Sequence, residues 1–425
     1  MTFDLGEQGM QACGGAHEPT VTHGTHAQDS GADRTHGAHG PSTKYLHSIM
    51  GSNAVDQAPQ PRAVGTFVPI VPGTLEAAKR AYTTRRCNLD ETRYLVSAGI
   101  APRAGDLVLA RVTEVGQHSG LHAVSGRRAT LFVGDEIIVA YGNRYAPDQF
   151  EAVVPRDLGS CQLAAGGGVA ARVVASHPKM RKPTQLAPVG LLADEHGRVL
   201  NLERYAIPRV SGRPRRPVTM AVVGTSMNSG KTTTAAHLVR GLRAAGLVVS
   251  AAKVTGTGAG GDPWLMRDAG AAQVLDFTDA GHASTYKLPL ETLCDCIDRV
   301  LDHLSECGTE VAVLEIADGL FQRETSALLE MPNAADYFDL LIFAAQDAMG
   351  ATAGVDWLEH RGLPVAAVSG IVTASPLAAR EASRAVSLPM LKLSDLGDAG
   401  TAGGLFAQAR QAREALQANR NEKAA

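Results

Sequence analysis

Residues 217–234 read PVTMAVVGTSMNSGKTTT, and this stretch decides the fold of the second half of the chain. The apolar run from Met220 to Val223 predicts a buried strand. A loop bounded by Gly224 and Gly230 follows, and after Lys231 apolar residues recur at helical spacing. These residues are Ala235, Leu238, Val239 and Leu242. A strand, a glycine-bounded loop, Gly-Lys-Thr and a helix together indicate a P-loop, in which backbone N–H groups and the helix N-terminus bind phosphate.

The loop residues are the candidates for nucleotide contacts. They are Gly224, Thr225, Ser226, Asn228, Ser229, Gly230, Lys231, Thr232 and Thr233. We expect Lys231 to reach the β- and γ-phosphates as a catalytic residue, and the hydroxyl of Thr232 to ligate Mg²⁺. The usual spacing places a glycine five residues before Gly230, where this chain has Thr225. The loop is therefore a longer variant that opens with Gly-Thr.

The loop resembles that of the dethiobiotin synthetases, which share the opening Gly-Thr and the closing Gly-Lys-Thr. Its core, residues 228–233, is similar to that of the molybdopterin-guanine dinucleotide biosynthesis adaptor family. In dethiobiotin synthetases the second strand ends in a lysine that faces the transferring phosphate and the substrate. Lys253 ends the apolar run 248–252 here, so the resemblance, which covers about residues 218–320, implies a catalytic role for it.

A second strand signal, EVAVLEIADG at 310–319, ends in acidic residues. P-loop enzymes need a carboxylate near Mg²⁺, which prefers oxygen ligands, so we predict Glu315 as a metal ligand beside Thr232. The dethiobiotin synthetases also carry a glutamate there, although Ile316 replaces their glycine. Asp318 is either a further ligand or the catalytic base for an acceptor hydroxyl. The adaptor family has an aspartate after the second strand, which implies that Asp262 contacts metal or substrate.

Other polar residues follow the later strands. Because ligands bind outside the carboxyl ends of parallel strands, Asp279, His282 and Ser284 are candidate substrate contacts, with a plain loop as the alternative. Arg323 is a candidate clamp for phosphate or carboxylate, since its planar guanidinium binds both.

The chain divides into four segments by composition. Residues 1–62 have few apolar side chains and predict a disordered tail. Residues 63–207 carry short apolar units separated by turns, which predicts a β-rich accessory domain, with a barrel as one form it could take and a helix over 75–82. In this domain the loop residues Asn143, Arg144, Tyr145 and Asp148 could contact a ligand or simply cover the surface. Residues 208–217 hold four arginines and three prolines and read as a linker.

Residues 218–416 alternate strands and helices, which predicts an α/β fold: a doubly wound, mostly parallel P-loop domain. We expect its last strand at 388–392 and its last helix at 405–416. With a net charge of −3, we expect no general electrostatic attraction to nucleic acids or membrane surfaces. No apolar run approaches the ~20 residues that a membrane span needs. Scattered cysteines and the lack of a signal-peptide pattern favour a cytoplasmic protein.

These features predict an ATP- and Mg²⁺-dependent phosphoryl transfer to a small-molecule acceptor, with Lys231, Lys253 and Asp318 as catalytic residues. An ATP-dependent ligase resembling dethiobiotin synthetase and a nucleotide-binding adaptor for cofactor delivery are the alternatives. ATP is preferred over GTP because the later strands contain no Asn-Lys-x-Asp guanine motif. Related enzymes often pair subunits across the nucleotide site, which implies a homodimer.

Overall fold

The computed structural model describes residues 65–210 and 216–424, and these described residues belong to one compact unit. The predicted tail, 1–62, and residues 211–215 of the predicted linker lie outside the described residues. We call residues 65–207 the barrel region and residues 216–424 the P-loop region. The domain boundaries drawn from composition stay predictions.

The barrel region contains eleven strands and one short helix. They are β1 (Phe67–Pro69), α1 (Thr74–Ala77), β2 (Lys79–Arg80), β3 (Tyr94–Val96), β4 (Leu107–Glu114), β5 (Gly120–His122), β6 (Arg128–Thr130), β7 (Glu136–Tyr141), β8 (Phe150–Val153), β9 (Cys161–Ala165), β10 (Val169–Ser176) and β11 (Thr184–Ala193).

Five of these strands close into a ring. β11 pairs with β4, β4 with β7, β7 with β10, β10 with β9, and β9 again with β11. Successive side chains of a strand point to opposite faces, and both faces of β4 are buried over residues 107–110. Val108, Ala110 and Val112 pack in one apolar cluster, whereas Leu107 and Leu109 pack in a second. The ring therefore has a filled interior, and its outer face is covered beside the first half of β4.

The helix predicted over 75–82 is wrong beyond its first turn. The helix ends at Ala77, and the next residues form β2, which pairs with β7. The Ala81 N–H donates to the carbonyl of Ile138, and residues 82–84 form a 3₁₀ turn. Pairing with the barrel edge overrides the helical pattern here, because it satisfies backbone groups that a helix end would leave open.

The P-loop region contains a sheet of six strands, all pairs of which are parallel, and eight helices. The strands are β12 (Val218–Gly224), β13 (Val249–Lys253), β14 (Val274–Asp276), β15 (Val311–Glu315), β16 (Leu340–Ala344) and β17 (Val365–Ser369). The helices are α2 (Lys231–Ala244), α3 (Gly261–Asp268), α4 (Leu290–Glu306), α5 (Arg323–Leu329), α6 (Ala348–Glu359), α7 (Pro376–Ala385), α8 (Leu393–Leu396) and α9 (Ala399–Ala424).

The strand order is β14-β13-β15-β12-β16-β17, with apolar clusters on both faces. One cluster joins the sheet to α2, α3, α8 and α9, and the other joins it to α4, α5, α6 and α7. This confirms a mixed α/β fold with a parallel sheet. Because β12 is central, its carboxyl end places the loop after Gly224 in the middle of one sheet edge.

Two predicted elements of the P-loop region differ from the structure. No strand forms at 388–392, where a single bridge joins Val368 to Met390. Pro389 has no backbone N–H to donate, so a longer ladder cannot form. The last helix spans Ala399–Ala424 rather than 405–416. Among the described residues, no helix combines the length and apolarity needed to cross a membrane.

Candidate functional site

The loop between β12 and α2 packs too closely to admit a side chain at its first position. A Cβ on Gly224 would overlap Ser229 Oγ and would lie 2.6 Å from the carbonyl oxygen of Ala344. Gly230 ends the loop as the N-cap of α2, with a φ of 95° that favours glycine. The loop therefore needs glycine at 224 and 230, whereas the threonine at 225 departs from the usual pattern without blocking the turn.

Lys231 begins α2 with its side chain turned back over the loop. It is 5% exposed, and its Nζ donates to the carbonyl of Ser226 at 2.7 Å. Burial lowers the pKa of Lys231 to about 8. The ammonium thus rests on an uncharged acceptor in a position where an anion would bind it more strongly.

Glu315, Lys253 and the helix residue Thr232 meet because strands β15, β13 and β12 are neighbours. β13 lies beside β15 with Lys253 opposite Glu315, and β15 lies beside β12, which leads into Thr232. The Thr232 hydroxyl donates to Glu315 Oε1 at 2.9 Å, and Lys253 Nζ lies 3.8 Å from the same oxygen. Lys253 also forms an ion pair with Asp262. The structure therefore brings four predicted site residues together.

Burial and mutual attraction shift the pKa values of Glu315 and Lys253. Burial raises the pKa of Glu315, although the Lys253 ammonium opposes the shift. Burial alone would lower the pKa of Lys253, but the carboxylates of Glu315 and Asp262 raise it. Lys253 therefore stays charged, and the buried cation and carboxylate stabilise one another.

Asp318 follows β15 in a backbone conformation that side chains rarely adopt, with a φ of 65°. A Cβ on the next residue, Gly319, would overlap the carbonyl oxygen of Thr225, so this turn lies directly against the phosphate loop. Burial raises the pKa of Asp318. A carboxylate with a raised pKa next to a phosphate loop suits proton transfer.

One cavity of about 660 Å³ connects these residues with the barrel region. We call its lining by Lys231, Thr232, Lys253, Glu315 and Asp318 the phosphate wall. Its opposite lining, the barrel wall, consists of His118, His122, Arg128, Arg144, Tyr145 and Gln149. Of the four loop residues for which the sequence left a ligand contact open, Arg144 and Tyr145 line the cavity, whereas Asn143 and Asp148 do not.

The two walls are held at a fixed distance by close contacts. A Cβ on Gly167 of the barrel region would overlap the carbonyl oxygen of Gly258. The Gly260 N–H donates to His122 Nδ1 at 3.1 Å, and Asn228 of the loop donates to Asp148 at 2.7 Å. Burial lowers the pKa of His118 to about 4 and also lowers the pKa of His122. Both imidazoles are therefore neutral near pH 7.

The four predicted substrate residues lie elsewhere. Asp279 is buried in an ion pair with Arg85 of the barrel region at 2.5 Å, and His282 is half-buried, with desolvation lowering its pKa to about 4. The Ser284 hydroxyl accepts from the Tyr286 N–H at 3.1 Å, and Arg323 is exposed at the start of α5. None of the four lines the cavity. Their role as substrate contacts stays a prediction.

The residues near Thr232 fit a magnesium ion of the P-loop type. Among the described residues, no group of three or more His, Cys, Asp or Glu side chains is placed to hold a metal. Mg²⁺ in nucleotide sites takes only one or two protein ligands and completes its shell with water and phosphate. Glu315 Oε2 is buried without a hydrogen-bond partner beside the Thr232 hydroxyl. The pair supplies the oxygen ligands that such a site requires.

No family model matches this sequence, and no curated protein is significantly similar to it. Two solved structures with detectable similarity are signal recognition particle proteins in complex with GDP. The 54 kDa protein from Aeropyrum pernix K1 is 19% identical, with 50% of this chain and 53% of that chain covered and a TM-score of 0.31. The receptor FtsY from Elizabethkingia anophelis is 15% identical, with 48% and 67% covered and a TM-score of 0.29.

The match thus spans about half the length of the first of these proteins. At these identities and TM-scores, the similarity carries no conclusion about activity, substrate or nucleotide. The resemblance to dethiobiotin synthetases and to the molybdopterin adaptor family also stays a prediction.

Proposed function

We propose that this protein binds a nucleoside triphosphate with Mg²⁺ on the phosphate wall and transfers its terminal phosphoryl group to a small molecule. The observation that carries the proposal is the shared cavity, which joins Lys231, Lys253 and the carboxylates of Glu315 and Asp318 to a second polar wall. Its volume of about 660 Å³ lies within the usual range of ligand sites. An enzyme that only hydrolyses nucleotide has no need of the second wall.

Each side chain of the phosphate wall would have a separate role in catalysis. Lys231 would exchange the Ser226 carbonyl for the β- and γ-phosphates, because a charged oxygen is the stronger acceptor. Mg²⁺ held by Thr232 and Glu315 would neutralise charge on the phosphates. Lys253, kept charged by its acidic neighbours, would stabilise the negative charge that spreads over the transferring phosphoryl group.

Asp318 completes the reaction on the acceptor side. An acceptor oxygen attacks the γ-phosphorus, the bond to the bridging oxygen breaks, and the nucleoside diphosphate leaves. The acceptor proton passes to Asp318, whose raised pKa makes its carboxylate a better base than an exposed one. No covalent enzyme intermediate is needed, since positioning and charge neutralisation supply the catalysis of phosphoryl transfer.

A ligase that phosphorylates a carboxylate is the second candidate, because the barrel wall carries two arginines that suit an acidic substrate. The products separate the two. A kinase releases a stable phosphorylated product in proportion to nucleoside diphosphate, whereas a ligase releases inorganic phosphate only when a second co-substrate is present. An adaptor would hydrolyse nucleotide slowly until a partner is added.

The test is to incubate the protein with Mg²⁺, either ATP or GTP, and a metabolite extract, and to search by mass spectrometry for a molecule that gains one phosphate. Comparing the two nucleotides decides the base preference, which the sequence assigns to ATP. The Lys231→Ala variant should abolish the product, and Lys179→Ala, an exposed lysine of the barrel region, is the matched control. Full turnover by Lys231→Ala would overturn the proposal.

A further inference from the structure

A buried arginine on the barrel wall has no acidic partner. Arg144 is 5% exposed and lies after β7, where its backbone exchanges two hydrogen bonds with Ala152 at 2.8 and 3.0 Å. The loop is therefore anchored to the barrel, and the side chain reaches the cavity from a fixed point.

All close contacts of the guanidinium are uncharged. It donates to the carbonyl of Ala164 and to Gln149 Oε1, the latter at 2.8 Å. Its Nη1 lies 2.9 Å from Nε2 of His118, and the low pKa of that histidine keeps it neutral. Among the described residues, no carboxylate forms an ion pair with Arg144, and its Nε–H has no hydrogen-bond partner.

Two other arginines of the molecule, in contrast, form ion pairs with aspartates. Arg85 pairs with Asp276 and Asp279, and Arg216 pairs with Asp339 at 2.6 Å. A buried charge without a partner is expensive, and burial lowers the pKa of Arg144 to about 10. The charge remains at neutral pH, so the cost persists until an anion enters the cavity.

The nearest acids leave space for that anion. Asp148 and Asp318 act on Arg144 through their charge, yet neither forms an ion pair with it. Asp318 lies on the phosphate wall and Arg144 on the barrel wall of the same cavity. A small molecule can therefore present an anionic group to Arg144 while its nucleophile faces Asp318.

We propose that Arg144 binds an anionic group of the acceptor, a carboxylate or a phosphate, and thereby selects small acidic molecules as substrates. Gln149 and His118 orient the guanidinium for this contact. The inference rests on the proposed function, since it assumes that the acceptor occupies the cavity beside the phosphate loop. The γ-phosphate of the nucleotide offers the same chemistry, so the test must separate it from the acceptor.

The experiment uses the full chain with Mg²⁺ and ADP, and succinate and inorganic phosphate as probe anions in calorimetric titrations. Succinamide, which has the size of succinate without its charge, is the control ligand. The wild type should bind at least one anion saturably and should not bind succinamide. Arg144→Gln should weaken that binding by about tenfold or more, because it removes the charged donor that the anion would contact. Arg172→Gln, an exposed arginine on β10, should change nothing.

Nucleotide titrations form the second arm. Arg144→Gln should bind Mg·ADP and a non-hydrolysable triphosphate analogue as the wild type does. Weaker binding of the analogue alone would assign the guanidinium to the γ-phosphate and overturn the proposal, as would unchanged anion binding in the variant. A wild type that binds neither anion, or binds succinamide equally well, would overturn it without any variant. A wild type that binds no nucleotide would instead refute the proposed function.

Discussion

The two walls of the cavity differ in their electrostatics: the charged side chains of the phosphate wall are paired with one another, whereas Arg144 on the barrel wall has no acidic partner. On the phosphate wall, Lys253 lies between Glu315 and Asp262, and the Thr232 hydroxyl bonds to Glu315, so the charges hold one another in place. On the barrel wall, Arg144 has only uncharged contacts and the neighbouring imidazole is neutral. A set of paired charges is preorganised for a metal and phosphates, whereas an unpaired charge is completed only by a ligand.

After the loss of Lys231, the largest expected effect comes from removing Lys253, the second cation of the phosphate wall. Lys253→Ala should retain nucleotide binding but lose about 10²–10³-fold in turnover, as when one donor to a developing charge is removed. Single-turnover kinetics and nucleotide titration measure the two separately. Lys179→Ala is the control. An unfolded variant would show that Lys253 is structural, and unchanged turnover would remove it from the reaction.

The next prediction tests whether the close packing of the two walls contributes to the stability of the protein. Gly167→Ala should destabilise the protein by about 1–3 kcal/mol, the usual cost of overpacking, because its Cβ would overlap the carbonyl oxygen of Gly258. Urea unfolding measures the loss. Gly404→Ala, where a Cβ on α9 meets no atom within 4 Å, should be neutral or stabilising. Equal stability of the two variants would mean that the walls can shift apart at little cost.

A smaller effect concerns the polar contact that joins the regions behind the cavity. The Tyr82 hydroxyl donates to Asp276 Oδ2 at 2.8 Å, and Arg85 binds the same carboxylate. Tyr82→Phe should cost about 1 kcal/mol, because one donor to a buried carboxylate is lost while the others remain. Tyr94→Phe, on a ring that packs against Phe67, is the comparison for urea unfolding. A loss no greater than in Tyr94→Phe would exclude a contribution from this hydrogen bond.

The smallest effect at neutral pH is the contribution of His118. Burial lowers its pKa from 6.5 to about 4, so the unfolded chain takes up a proton between these values and the folded protein does not. The free energy of unfolding should therefore be unaffected above pH 7 and should fall as the pH drops from about 6.5 to 4. Between pH 7 and pH 5, the free energy of unfolding of the His118→Gln variant should therefore fall by about 1–2 kcal/mol less than that of the wild type. The same acid dependence in both proteins would contradict a neutral barrel wall.

The phosphate wall was largely predictable from the sequence because its signals are local. The loop, the lysine at the end of β13 and the acid at the end of β15 each follow an apolar run directly. Their meeting at one edge follows from the rule for parallel sheets. The register that places Lys253 opposite Glu315 could not be predicted, because the neighbouring strands β13 and β15 are not consecutive in the chain.

The barrel wall could not be predicted in this way. Arg144 lies in a loop without a local pattern, and its burial depends on the closure of the ring by β9, which pairs with both β10 and β11. The same limitation explains Asp279. It follows a strand end, as a ligand contact would, but its carboxylate binds Arg85, 194 residues away in the chain. Only the packing of the two regions decides which polar groups remain open to a ligand.

The most direct test of the proposed phosphate site is a crystal structure with Mg²⁺ and a non-hydrolysable triphosphate analogue. We expect residues 224–232 to surround the phosphates, with Lys231 Nζ moved from the Ser226 carbonyl to the β- and γ-phosphates. The γ-phosphate should face the cavity between Asp318 and the barrel wall. Phosphates bound elsewhere, or a Lys231 that still donates to Ser226 beside a bound nucleotide, would contradict it.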